Sequence, residues 1–427
     1  MQVTSAEEFL AARRRGSGPL VRTTVALLLI AIWVGLVAPV LPLIGRGGDA
    51  ASLAIAGRLI AEDRPETLFA RSPDRLSVED PAWEAEAREM GYSWRLYPYL
   101  YPPLIAFAAT PASLAELPLI RASMLALTLC AAALTVLIAA RCWSPELLIP
   151  GWMIGAIAGA ALSWPFMSQL IALNLQPLVM LAILAAIAAA QAGRAALAGT
   201  ALALATAVKV TPAALVLYWL ATRRYAEAAW FLIASAGLLA LGLILAGMPL
   251  HLDWIAGMRE LGQSIVPAAP NRSLAALLYG AAYGLEPSGE GLPLRPLPAW
   301  IAAICACVGI VGSALCLWGA RRSRHRPAAD AAGQIALIVV TILATPLAWS
   351  HYFLILVPAA MVWTGLVGLT SRSVAVVALL AFLISEPVAR AAAAAAEPAI
   401  PAAFEPVAGL VLLALLLRAR RRYFRGA

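Results

Sequence analysis

Asp49 ends the stretch Gly45-Arg46-Gly47-Gly48-Asp49, which follows the first long apolar run and opens the only long, strongly charged segment of the chain. A carboxylate this close to a helix end and a bilayer surface can take a proton from an acceptor hydroxyl, which is general-base chemistry. The competing reading is local: Asp is a favoured N-cap, and a helix starting near Ala50 would use it as one. Lys209 is the only lysine among 31 basic residues, and it sits near the middle of an apolar stretch. A charge there costs about 3 kcal/mol on insertion scales and by default marks a functional site or a buried partner. The plainer alternative is a lysine that snorkels or pairs with an intramembrane carboxylate. Two residues on, Thr211-Pro212 removes a backbone donor, so the helix is expected to kink and release the Val208 carbonyl. A compact ammonium beside a broken helix suits a phosphate. His351 lies in a proline-containing turn, Thr345-Pro346 through Trp349 to His351-Tyr352. Its imidazole can hydrogen-bond a phosphate or a sugar hydroxyl, or serve only as an interfacial polar residue.

These residues must be positioned by membrane helices. With 62% hydrophobic and 13% charged residues and a mean hydropathy of +0.85, the 427-residue chain lies far from soluble globular composition. The sequence predicts an all-α polytopic membrane protein with about twelve spans. They fall near 21–43, 102–117, 119–140, 147–166, 172–191, 195–221, 227–247, 298–319, 333–347, 350–369, 373–388 and 405–418. The 23-residue first stretch is too long for a signal peptide's apolar region and reads as an uncleaved helix. The domain reading is a cytoplasmic N-terminus over 1–20 and one transmembrane domain over 21–427. With that terminus inside, the clusters Arg223-Arg224, Arg321 to Arg326, Arg372 and the tail 418–427 also fall inside, as the positive-inside rule asks. Asp49 is then outside, which places the expected site on the extracytoplasmic face of an inner (plasma) membrane.

Two long outer loops remain, 45–101 and 248–297. The first carries ten of the 23 acidic residues and seven arginines. Within it, Asp80 to Met90 reads as a short surface helix with Asp80 as N-cap and Pro81 at the first helical position. Tyr92, Trp94, Tyr97, Tyr99 and Tyr101 follow, an aromatic cluster that is either an interface belt or a set of rings able to stack on sugars. The second loop's short apolar pieces suggest helices lying along the membrane. Ser163-Trp164-Pro165 and Asn174-Leu175-Gln176-Pro177 interrupt their spans, so one of these is short or re-entrant and the sidedness of Asn174 and Gln176 stays open.

Other function classes lose ground on motifs. No D-x-D, P-loop, G-x-G-x-x-G, H-E-x-x-H or G-x-S-x-G occurs. Five cysteines without C-x-x-C spacing suggest neither a disulfide framework nor zinc. No metal site or cofactor is expected. The net charge of +8 flanks the spans and reports topology, so no nucleic-acid partner is expected.

Taken in order, several stretches resemble glycosyltransferase family 87, polyprenol-phosphate-mannose-dependent mannosyltransferases of the GT-C class. They are Gly48-Asp49, Tyr101-Pro102-Pro103-Leu104, Asn174-Leu175-Gln176, Ala198-Gly199 to Lys209-Val210-Thr211-Pro212, Asn271-Arg272-Ser273-Leu274, and Thr345-Pro346 to His351-Tyr352. Ala172-Leu173-Asn174 stands where the family more often carries Gly-Gln-x-Asn. The resemblance implies a GT-C-type fold and an inverting hexose transfer, with mannose the expected sugar, from a polyprenyl-phosphate donor to a lipid or glycan acceptor. It puts Asp49 at the acidic catalytic position and Lys209, Arg272 and His351 on the donor phosphate. Tyr101, Asn174, Gln176 and Asn271 are then expected to bind substrate. Two other classes compete: a lipid or solute transporter using Lys209 as its substrate or ion site, and a lipid-linked glycan polymerase or ligase.

Overall fold

The structure is a computed structural model that describes residues 46–161, 163–287, 291–385 and 399–425. The expected N-terminal segment, the first span at 21–43 and the alanine tract Ala391 to Ala396 lie outside the described residues. What is described is mostly helical, with one two-stranded ribbon pairing β1 (Ser264–Ile265) and β2 (Arg295–Pro296). The protein is an all-α polytopic membrane protein. Its helices in chain order are α1 (Gly48–Ala61), α2 (Pro81–Glu89), α3 (Pro103–Ala109), α4 (Leu117–Trp143), α5 (Pro150–Ala161), α6 (Trp164–Ala172), α7 (Gln176–Gln191) and α8 (Ala195–Val208). They continue as α9 (Leu215–Ala221), α10 (Tyr225–Gly262), α11 (Leu274–Tyr283), α12 (Ala299–Leu317), α13 (Ala320–Ser323), α14 (Pro327–Ala344), α15 (Leu356–Val367), α16 (Ser371–Leu383) and α17 (Ala399–Arg425).

Among the described residues, five helical segments are long and apolar enough to cross a bilayer: α4, α10, α12, α14, and Ser350–Val367, which includes α15. Hydropathy windows overran several shorter pieces. The stretch expected as a span at 102–117 is the seven-residue α3 followed by a 3-10 turn, Thr110–Leu114. Pro111 and Pro118 break what looks continuous to a hydropathy scale, which does not register lost backbone donors. The stretch expected at 195–221 is broken: α8 ends at Val208, Lys209 is extended (φ −141°, ψ 128°), and a 3-10 turn, Thr211–Ala214, precedes α9. The Pro212 signal thus produces a full break and not merely a kink.

Helix α14 is the most enclosed of the five long segments and forms the axis of the main core, with α4, α7, α12, α15 and α17 around it. α8 meets α10 at Gly199, where an added Cβ would lie 2.5 Å from the Phe231 backbone nitrogen. Only glycine allows that approach, the usual device of membrane helices that gain little from hydrophobicity alone. A second core, under the first long loop, holds α1 against Trp83, Tyr92 and Tyr99. Asp80 caps α2 as expected, accepting from the Ala82 and Trp83 backbone N–H groups at 2.9 and 3.2 Å. α2 is not a free surface helix, however: Trp83 is fully buried and its indole N–H donates to the Thr67 carbonyl.

The two long loops, 45–101 and 248–297, are laced together. Leu76 N–H donates to Leu292 O at 2.7 Å, Leu294 N–H to Asp74 O at 2.8 Å, and Arg71 pairs with Glu260. The loops therefore form one lid over the ends of α8 and α14.

Candidate active site

Under this lid lies a cavity of about 880 Å³, lined from both loops and from the broken ends of the helices. That is the scale of a pocket for a sizeable ligand. Asp49, Tyr101, Asn174, Lys209, Arg272 and His351 all line it. Gln176 and Asn271 stand behind the wall.

Asp49 does not cap α1. Gly47 occupies the N-cap position with φ 61° and makes no side-chain cap, and its N–H donates to Ile171 O at 2.9 Å. That left-handed turn, natural only for glycine, swings the chain so that Asp49 falls in the first helical turn. There it gains from the helix dipole while its oxygens stay available to the cavity. Burial raises the Asp49 pKa; a hydrogen bond from Asn174 and the nearby positive charge of Lys209 offset this only in part. A carboxylate tuned upward in this way is a better base than a free one.

Asn174 is presented by a strained turn between α6 and α7. Leu173 is buried in the left-handed region (φ 54°, ψ 53°), at a cost of about 1–2 kcal/mol for a side-chain-bearing residue. The Asn174 Oδ1 accepts from the Gln176 N–H at 2.7 Å, and its amide nitrogen meets Nε2 of His351. Gln169 holds the Asn174 carbonyl at 2.8 Å. Such strain is tolerated where the surrounding structure fixes the turn.

Lys209 owes its position to the break after α8. Its ammonium donates to Gln176 Oε1 at 2.7 Å and lies 3.6 Å over the Tyr352 ring, so Gln176 acts by holding Lys209. Across the cavity, Arg272 is buried with its Nε 3.7 Å from Glu405 of α17, while neither Nε nor Nη1 has a hydrogen-bond partner. Glu405 also accepts from Ser350 at 3.0 Å. Asn271 fixes the loop beneath: its Nδ2 donates to Val266 O and Pro346 O, and its Oδ1 accepts from Ser273 N–H and Ala348 N–H, all at 3.1 Å. With its carboxamide so occupied, Asn271 has no free group for a substrate. It registers Arg272 against the Pro346–Trp349 turn instead.

Sequence reasoning passed over two members of this wall, Arg46 and Tyr352, and one residue behind it, Glu405. Glu405 is an acidic residue at the edge of an apolar stretch, a signal that reads like that of Lys209. Arg46, stacked 3.9 Å over Trp94, lies in the very stretch that drew attention to Asp49. Tyr352 adjoins His351, and the two rings meet edge to face at 5.0 Å. Most of the aromatic cluster is not an exposed belt: Tyr92 and Tyr99 are 4% and 2% exposed, whereas Trp94 is open.

The cavity therefore sets one carboxylate among cations, with a buried guanidinium N–H group unspent. Among the described residues, no group of three His, Cys, Asp or Glu side chains could hold a metal. Comparison with curated proteins gives no match. The model of glycosyltransferase family 87 (GT87) matches residues 99–346, a stretch holding Tyr101, Asn174, Gln176, Lys209, Asn271 and Arg272, while Asp49 and His351 lie beyond its ends. That match spans more than half of the 427 residues, and the chain belongs to glycosyltransferase family 87.

Proposed function

We propose that this membrane glycosyltransferase transfers a hexose, mannose first among the candidates, from a polyprenyl-phosphate donor to a lipid or glycan hydroxyl at the outer face of the membrane. The observation that carries the reading is the pairing of Asp49 with Lys209 and Arg272 around one cavity. Asp49 takes the acceptor proton as the hydroxyl oxygen attacks the anomeric carbon. The bond from that carbon to the donor phosphate oxygen breaks, and the phosphate leaves with the electron pair. Lys209 and the unpaired face of Arg272 stabilise the charge that develops on it. Attack opposite the leaving group inverts the anomeric centre. Tyr101 and its neighbouring rings offer faces on which a sugar stacks.

The test is transfer of radiolabelled mannose from polyprenyl-phosphate mannose into lipids extracted from the host, wild type beside Asp49→Asn. New labelled lipid from wild type alone supports both donor and base. Equal product from the two proteins removes Asp49 from the chemistry. Uptake of label into vesicles without a new glycoside would favour the transporter reading.

A further inference from the structure

Asn174 and His351 meet, beside Asp49, in a contact whose donor and acceptor can be assigned. The Asn174 carboxamide has one orientation open to it. Its Oδ1 accepts the Gln176 backbone N–H at 2.7 Å, and a flipped amide would set two donors against each other there. The amide nitrogen therefore faces His351 Nε2, with the Asp49 carboxylate beside Asn174. An amide nitrogen has hydrogens to give and no lone pair to offer, so His351 Nε2 must supply the lone pair. An imidazole that accepts at Nε2 carries its proton on Nδ1 and is neutral. His351 Nδ1 has no partner within the protein, although the residue is 4% exposed and forms part of the cavity wall.

We propose that Asn174 is a positioning residue that locks His351 in the neutral Nδ1–H tautomer, so that His351 gives one hydrogen bond to a phosphate oxygen of the bound donor and transfers no proton. The inference rests on the proposed donor only for the identity of the oxygen. The tautomer follows from the contacts alone. One amide thereby aligns the base on one side and the phosphate contact on the other.

The chain contains only three histidines, so selective labelling reads this directly. Wild-type protein carrying ring-¹⁵N histidine in bilayers is measured at pH 7, and His351→Gln identifies the signal. The expected result is a protonated, pyrrole-type Nδ1 and an unprotonated, pyridine-type Nε2 for His351. A pyrrole-type Nε2, alone or together with Nδ1, overturns the proposal. Asn174→Asp, which removes the amide donors, should move the proton to Nε2 or give the imidazolium; an unchanged Nδ1–H tautomer in folded variant also overturns it. Polyprenyl phosphate, its binding followed by its own ³¹P resonance, should shift Nδ1–H and leave Nε2 in place. Binding without that shift removes the phosphate contact. Failure to bind at all counts against the proposed donor and leaves the tautomer result standing.

Discussion

Helix α14 joins two buried polar clusters at opposite ends of its 18 residues, about 27 Å apart at the helical rise. At its basic end, Asp330 Oδ2 takes donors from Arg224 at 2.9 Å and from Gln191 and Gln334 at 3.0 Å. Those glutamines are held in turn by the indoles of Trp143 and Trp219 at 2.8 and 3.0 Å. None of these residues lines the cavity of about 880 Å³. At the other end, beyond Ala344, the charges around Asp49, Lys209 and Arg272 face open volume, and Arg272 Nη1 and His351 Nδ1 lack partners. A buried donor left without an acceptor costs about 1–3 kcal/mol. Arg224 Nε and Asp330 Oδ1 lack partners at the basic end too, so what sets the second cluster apart is the cavity that it lines, where its unpartnered groups face room for something that arrives.

The largest effect that would break this contrast is Asp49→Asn. As the base, its loss should lower the transfer rate by roughly 10²–10⁴-fold. Stability should hold or rise slightly. Burial raises the Asp49 pKa, so the ionised carboxylate is disfavoured in the folded state, and a neutral amide removes that cost. The same shift sets the pH dependence. Asp49 accepts a proton only when ionised, so activity is present above its raised pKa and is lost as pH falls through it. The acid limb of kcat/KM should lie above the ordinary aspartate value of about 3.9. A limb at or below that value would show that burial does not tune this carboxylate.

Asp330→Ala should do the reverse. It strands Arg224, which is 3% exposed, and breaking a buried pair from one side costs about 3–5 kcal/mol. Thermal unfolding in detergent should drop accordingly, while transfer per folded molecule stays near wild type. A variant that keeps its melting temperature but loses transfer would put function at the basic end.

Glu405→Gln falls between the two regions, since Glu405 belongs to the scaffold but faces a site residue. The amide can still accept from Ser350, so the fold should survive. Arg272 loses its counter-charge and its fixed pose, and kcat/KM for the donor should fall roughly tenfold, about 1.4 kcal/mol. Kinetics equal to wild type would reduce Glu405 to packing.

The sequence announced these regions unequally. Membrane class, the break after α8 and the Asp80 cap were legible because composition, proline and capping chemistry act locally. Lys209 was legible because a lone charge in an apolar stretch is costly. The helix count was less so: α3 and α5 are apolar enough to pass for spans yet have only 7 and 12 residues. Hydropathy weighs side chains and overlooks where proline ends the backbone ladder. The role of Asn271 was hidden as well. Its four backbone bonds reach Val266, Ser273, Pro346 and Ala348, and pairings between distant loops leave no periodicity to read. Glu405 was hidden because its partner, Arg272, lies far away along the chain.

The smallest predicted effect separates the two aspartates that open helices in the first long loop. Local sequence treats them alike: each precedes or enters a helix, and each is a good N-cap by type. Asp80 does the capping, with Oδ1 accepting from Ala82 and Trp83 at the head of α2. Asp49 leaves that position to Gly47. Asp80→Ala should therefore cost about 1 kcal/mol of stability, the ordinary value of a lost cap, with no change in transfer per folded molecule. The effect is small because α2 is also held by buried Trp83, whose indole bond to Thr67 survives the substitution. Set beside Asp49→Asn, the pair forms a double dissociation: one aspartate should move the melting temperature and not the rate, the other the rate and not the melting temperature. If Asp49→Asn instead cost about 1 kcal/mol and left the rate intact, the carboxylate would be capping after all, through a geometry unlike that of α1 as described.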